Sequence, residues 1–215
     1  GVVVVDTGSA AGAPAVLAAI KRISPRPIRY VIDTGPDADH VGGNEALATA
    51  GEKLFGGSLL GGGAQNAASN AAERAAPILS AEGVLRHLAK LPAGGWPTEV
   101  FHYSRKVMYL NGEAIEVLHQ PAAHTDSDVF AFFRRSDVVL AGDVLDTRQF
   151  PVIDVERGGS IQGEIAALNR LAELAVASTP VVTREAGTIV VPGHGRLCDQ
   201  YDVVEYRDMV TIIRD

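Results

Sequence analysis

Two aspartates and a histidine crowd into four positions of one turn, within the stretch TGPDADHVGGNEAL at residues 34–47. Carboxylates as close as Asp37 and Asp39 repel unless something positive lies between them, so this turn, with His40 beside them, calls for a cation. The remaining ligands must then come from elsewhere in the chain. His124 follows an apolar run that ends near Gln120, Asp143 stands at the tip of VVLAGD, and His194 lies just beyond IVVP in IVVPGHG. Imidazole and carboxylate together suit zinc, iron or manganese, and a catalytic site of this kind leaves one position open to water. A bound dication lowers the pKa of that water to about 7. A lone aspartate after a strand is ordinarily a cap or turn residue. Metal-capable residues gathered in four strand-exit loops, where a rigid scaffold can aim side chains at one point, suggest a metal site instead.

The elements that would position these residues can be read from periodicity. The β-branched run VVVVD (2–6) reads as a buried strand, GAPAVLAAIKRI as a helix with Pro14 in its first turn, and IRYVIDTG (28–35) as a second strand. Together they form a βαβ unit whose second strand delivers the aspartate-rich turn. GGNEALATAG reads as a short helix closed by Gly51. Residues 56–80 are rich in Gly, Ala and Ser without the spacing of a dinucleotide cradle, and read as an exposed loop or a flap. AEGVLRHLAKL (81–91) is expected to be helical. Residues 98–110 and 113–120 are expected to form a hairpin, because Asn111-Gly112 favours a type I′ turn. Two more strands are expected over 128–143, joined at Arg135-Ser136, then a helix at 161–177, and a buried strand with its exit loop over 187–195. A final helix is expected to bury Val203, Tyr206, Val210 and Ile213 on one face.

The bulk properties narrow the function classes. The chain has 215 residues and a formal charge of −7, and its pI is about 5.3. That length suffices for one domain with a real core, and a single domain over 1–215 is the simplest count. No cluster of Lys and Arg stands out beyond Arg134-Arg135, so no nucleic-acid partner is expected. No apolar stretch approaches a membrane span. The single cysteine, Cys198, has no partner for an intrachain disulfide and reads as a small buried residue. The compartment is open: periplasmic or secreted if a signal peptide precedes Gly1, cytoplasmic otherwise.

The order VVVVDTG, DADHVGGN, AHTDSD, LAGD and VVPGHG resembles the metallo-β-lactamase-fold superfamily along nearly the whole chain. The resemblance implies an α/β (α+β) fold, an αββα sandwich of the metallo-β-lactamase type, here lacking the strands that normally precede GVVVVDTG. It also implies a metal site, usually binuclear, and most often a hydrolase. By position it carries Asp39, His40, Asp143 and His194 onto the second metal site, and His124 with the shared Asp143 onto the first.

One departure matters. The family loop usually reads H-x-H-x-D-H, whereas this chain reads Gly35-Pro36-Asp37-Ala38-Asp39-His40. Gly35 supplies no ligand and Asp37 supplies a carboxylate in place of an imidazole. One well-held ion is therefore expected, zinc before iron or manganese, with a weaker second ion or a water network at Asp37 and His124. His102 and His119 read as ordinary strand residues rather than replacements. Relatives that use one iron for thiol oxidation depend on the missing histidines, and the diiron flavoproteins need a flavodoxin-like partner domain that is not encoded here. Hydrolysis of an ester, lactone, thioester or amide in a small-molecule substrate is the favoured reading, with Asp37 or Asp39 orienting water and accepting its proton. The alternative is a non-catalytic member that binds a ligand or assembles as a homo-oligomer around a degenerate site.

Overall fold

The computed structural model describes residues 1–54, 74–88, 93–178 and 187–215, so the flap expected over the glycine-rich stretch lies mostly outside the described residues. The chain divides into two compact units, Gly1–Ser80 with Val84–Val100, and Ala81–Gly83 with Phe101–Asp215.

The first unit is built on strands β1 (Val2–Val5), β2 (Ile28–Ile32), β3 (Ile78–Ala81) and β4 (Glu99–Phe101), hydrogen-bonded in that order. β1 pairs with β2 and β2 with β3 in parallel. Parallel neighbours require a crossover, and helix α1 (Ala13–Ile23) supplies the first one. Pro14 sits in its opening turn, where a missing N–H leaves no bond unmade. Val16, Leu17 and Ile20 recur at helical spacing and pack on a core of Ala13, Ile28, Val31, Leu47 and Ile78. Fully burying a large aliphatic side chain, as at Val31, Leu47 and Ile78, contributes about 1.5–3 kcal/mol. After β2 come two short helices, α2 (Ala38–Val41) and α3 (Asn44–Thr49). α4 (Glu82–Leu88) carries Val84 and Leu88, which pack with Val41 of α2 and with Trp96.

The second unit holds a five-stranded sheet of β5 (Arg105–Leu110), β6 (Glu113–Gln120), β7 (Asp128–Phe133), β8 (Val138–Asp146) and β9 (Ile189–His194), in that order. The pairs are antiparallel up to β8, and β8 with β9 is parallel. Helix α5 (Ile161–Leu174) lies in the connection between β8 and β9. It packs with α6 (Gln200–Arg214) over Phe130, Val139, Val144, Leu168, Leu171 and Val203. Ser160 caps α5 and Asp199 with Asp202 forms a capping box on α6, satisfying amide groups that helix starts leave unpaired. Asn111 and Gly112 both have positive φ, 55° and 80°, as a type I′ hairpin turn demands. Among the described residues no helix is long and apolar enough to cross a membrane.

Several expectations are corrected. Residues 98–110 are not one strand: the chain breaks at exposed His102–Ser104, and Glu99–Phe101 joins the four-stranded sheet while only Arg105–Leu110 pairs with β6. Alternation reports a strand, not the sheet it joins. β3 was hidden at the end of the segment read as loop, because a four-residue strand buried throughout shows no alternation. α2 is likewise a helix where only a turn was expected. On α6, Val203, Tyr206 and Val210 are buried as expected, but Ile213 is 57% exposed because the last turn runs past the core.

Candidate metal centre

In the first unit the aspartate-rich turn begins where β2 ends. Asp37 occupies the N-cap position of α2, yet its side chain makes no cap bond to the helix, so the ordinary role of such an aspartate does not apply. Its carbonyl instead accepts from the amides of His40 and Val41. Asp37 is half-buried, Asp39 exposed and His40 buried, at 4% exposure.

His40 is held by an arrangement built from β1. Its Nδ1 lies 2.8 Å from Asp6 Oδ2 and 3.1 Å from Thr34 Oγ1. Thr34 donates its hydroxyl to the same Asp6 oxygen at 2.6 Å and its amide to Asp6 Oδ1 at 2.8 Å. A carboxylate only accepts, so the proton of a neutral His40 sits on Nδ1 and the lone pair on Nε2. This is the second-shell pattern by which a carboxylate orients a metal-binding imidazole. Asp6 itself has φ 57°, a left-handed conformation that Asp adopts more readily than most residues.

The Gly42-Gly43 pair closes this arrangement. A Cβ on Gly42 would stand 2.5 Å from the Ala38 carbonyl and 2.6 Å from the Ala10 amide, and one on Gly43 would stand 2.6 Å from the Thr7 carbonyl. Glycine therefore lets the turn lie against residues 7–10, and the Thr7 amide donates to the His40 carbonyl at 2.6 Å. Beneath it, Asp33 is fully buried and accepts from Asn44 Nδ2 at 3.0 Å, while its Oδ1 has no hydrogen-bond partner among the described residues. Burial, and next the charge of Asp6, raise the Asp33 pKa well above the usual carboxylate range.

In the second unit two predicted histidine ligands flank the carboxylate of a third, Asp143. Asp143 Oδ2 lies 3.8 Å from His124 Nε2, and Asp143 Oδ1 lies 3.4 Å from His194 Nε2. His124 donates Nδ1–H to the Val152 carbonyl at 2.7 Å, an acceptor that fixes the tautomer and again places the lone pair on Nε2. Asp143 is not at the tip of its strand, as expected, but inside β8. It follows Gly142, whose φ is 56°, where the register against β9 shifts. Such irregularities re-aim a side chain. His194 is the last residue of β9 rather than a residue beyond it. Its neighbour Gly193 has a packing reason: a Cβ there would stand 2.5 Å from Asp143 Oδ1.

The loop bearing His124 is tied down on both sides. Asp154 N donates to the His124 carbonyl at 2.9 Å and Thr125 N to Asp128 Oδ2 at 2.7 Å. Burial pushes the Asp128 carboxyl up to about 7 despite its bonds from Thr125. Glu164 of α5 is 0% exposed, and neither of its carboxylate oxygens has a hydrogen-bond partner among the described residues. Burial, and then the Asp128 charge, raise its pKa well above the usual range.

Every residue singled out from the sequence thus has a place. Asp37, Asp39 and His40 share one turn and helix of the first unit; His124, Asp143 and His194 share one cluster of the second. His119 binds the Asp126 carbonyl at 2.8 Å through Nε2, and exposed His102 pairs with Glu82 at 2.7 Å. Gly35 is buried and offers no donor. Cys198 is a buried free thiol. The partners Asp6, Thr34 and Val152 were not assigned roles from sequence; the aspartate of VVVVDTG was the one available signal. The donor set fits a borderline dication: imidazoles presenting Nε2, with carboxylates of both exposed and half-buried character.

The family model for the metallo-beta-lactamase superfamily matches residues 1–54. No curated protein matches. Among solved structures, a metallo-beta-lactamase from Pontibacter korlensis is 19% identical, with TM-score 0.69, covering 98% of this chain and 82% of its own. The structure of TMB-1 is 14% identical, with TM-score 0.67, covering 99% of this chain and 81% of its own. The family model bears out the resemblance over residues 1–54, and the solved structures bear out the mixed α/β fold it implied.

Proposed function

We propose that this chain, whose fold is that of the metallo-β-lactamases, is a metal-dependent hydrolase of a small ester, lactone, thioester or amide, its two units acting as one functional domain. Asp39, His40 and His194 with Asp143 would hold one ion, zinc before iron or manganese. Asp37 and His124, sharing Asp143, would make a weaker second position. The observation that carries the reading is the Asp143 carboxylate, flanked on its two oxygens by the Nε2 atoms of two histidines. The reading of one strong site follows from Gly35, which offers no donor, and from a carboxylate at 37.

A dication held there supplies Lewis acidity toward a carbonyl and toward water. The protein's own part is to hold the imidazoles with Nε2 outward through Asp6 and the Val152 carbonyl. Asp37 or Asp39 orients the attacking water and accepts its proton.

Asp143→Ala is expected to lose metal binding, read by elemental analysis, together with turnover on a panel of ester, lactone, thioester and β-lactam substrates. Full activity in that variant ends the mechanism. The ligand-less Gly35 favours a second reading, a binding or self-assembling protein on the same fold. Wild-type protein that is folded, metal-free and inert across the panel would establish it.

A further inference from the structure

The first unit contains a cavity of about 540 Å³, formed between the end of α1, the connection into β2 and the chain just after α3. That volume falls in the range of small-molecule pockets, roughly 300–1,000 Å³. It contains no residue of the 37–40 turn. Ile28 and Arg29, at the start of β2, line it, whereas the turn follows the end of the same strand, roughly 15 Å away at strand rise.

Its lining has two characters. Leu17, Ile20 and buried Ile28 give an apolar interior that is continuous with the core of the unit. Lys21, Arg26 and Arg29 bring three cations against one carboxylate, Glu52, in a chain whose net charge is −7. The helix dipole accounts for a cation at Lys21, in the last turn of α1, but not for Arg26 and Arg29, which lie outside the helix. Arg29 is held in place: its Nη1 donates to the carbonyls of Glu52 at 3.2 Å and Lys53 at 2.9 Å. The largely exposed Glu52 carboxylate forms an ion pair with that nitrogen at 3.5 Å, so the lining keeps a surplus of positive charge from Lys21 and Arg26. The wall between α1 and β2 is stiff, because Pro25 and Pro27 restrict the backbone on either side of Arg26. The sequence KRISPRPIR at 21–29 carried this cluster openly, and the expectation that no basic cluster stands out overlooked it.

We propose that this cavity is a binding site for a small amphipathic organic anion, its charged head between Lys21, Arg26 and Arg29 and its apolar body against Leu17, Ile20 and Ile28. The inference is independent of the metal centre. Hexanesulfonate is a suitable probe, since sulfonates are poor ligands for metal ions. Titration calorimetry on the full chain should show one saturable site for hexanesulfonate, with methanesulfonate (head alone) and hexanol (body alone) both binding at least about tenfold more weakly. The Lys21→Ala/Arg26→Ala double variant should weaken hexanesulfonate binding by about tenfold or more with its melting temperature unchanged. In the wild-type chain, titration should move the methyl resonances of Leu17, Ile20 and Ile28. The proposal is overturned by an absence of saturable binding, by wild-type affinity in the double variant, by hexanol matching hexanesulfonate, or by methyl shifts confined to other parts of the chain.

Discussion

The two units orient their histidines by different means. In the first, His40 is buried and its Nδ1 is claimed by a side chain, Asp6, which Thr34 braces through two further hydrogen bonds. In the second, His124 gives its Nδ1–H to a main-chain carbonyl, that of Val152, and the carboxylate partner Asp143 lies on the other side of the ring. The chemical outcome is the same tautomer. The vulnerability is not, because a side-chain acceptor can be deleted by one substitution and a carbonyl cannot.

That contrast can be broken or sharpened in order of expected effect. The largest is Gly193→Ala, whose Cβ would stand 2.5 Å from Asp143 Oδ1 and 2.7 Å from the Gly142 carbonyl carbon, displacing the segment that carries Asp143. It should abolish metal uptake while far-ultraviolet circular dichroism stays native. Retained uptake would show that the close approach of Gly193 to the Asp143 segment is not what aims the carboxylate. Next, Asp6→Ala removes the lock on His40 and should weaken metal affinity roughly 10–100-fold, the usual effect of losing an outer-shell partner. Competition with a chromogenic chelator measures it, and Asp6→Asn, which can still accept from Nδ1–H, should fall between. Leu47→Ala, at a fully buried core position of the first unit, should lower stability by about 2–5 kcal/mol in urea melts. At the small end, Val152→Ala should leave metal affinity unchanged, since only its carbonyl is used. A loss comparable to that of Asp6→Ala would erase the distinction between the two locks.

The buried carboxyls give the comparison a pH axis. Asp128 titrates near 7 in the fold, against 3.8 for the free side chain. Between those values the native chain keeps a proton that the unfolded chain has released. This group therefore favours the fold fully below about pH 4, and the advantage is lost as pH rises through 7. Burial moves Asp33 and Glu164 in the same direction. Asp146 and Asp154 move the other way, held below the usual range chiefly by their bonds to Arg148 and Arg157, so their contribution disappears as pH falls through their lowered values. Thermal melts with a chelator present should thus show stability declining from pH 5 to 7, and Asp128→Asn should flatten that slope. An unchanged slope would exclude Asp128 as its source.

Most of the scaffold could be read from periodicity: β1, α1, β2 and the hairpin at Asn111-Gly112 follow from local pattern and turn chemistry. The candidate ligands could be read too, because strand-exit Asp and His are conspicuous one by one. Their supports could not. Asp6 lies 34 positions from His40, and Val152 lies 28 positions from His124; nothing local links them. The bulge that turns Asp143 inside β8 depends on a pairing partner, β9, almost fifty residues later. Glu99–Phe101 shows the same limit, since alternation is identical whichever sheet receives the strand.

The glycine pair at 42 and 43 carries one more implication, for when the His40 turn can loosen. With Gly43 N on the Gly8 carbonyl and Thr7 N on the His40 carbonyl, segments 7–8 and 40–43 are stitched in both directions. Neither half can detach alone. Amide exchange at Thr7 and Gly43 should then be governed by one shared opening event, and an ion arriving at His40 would find its ligand already immobilised.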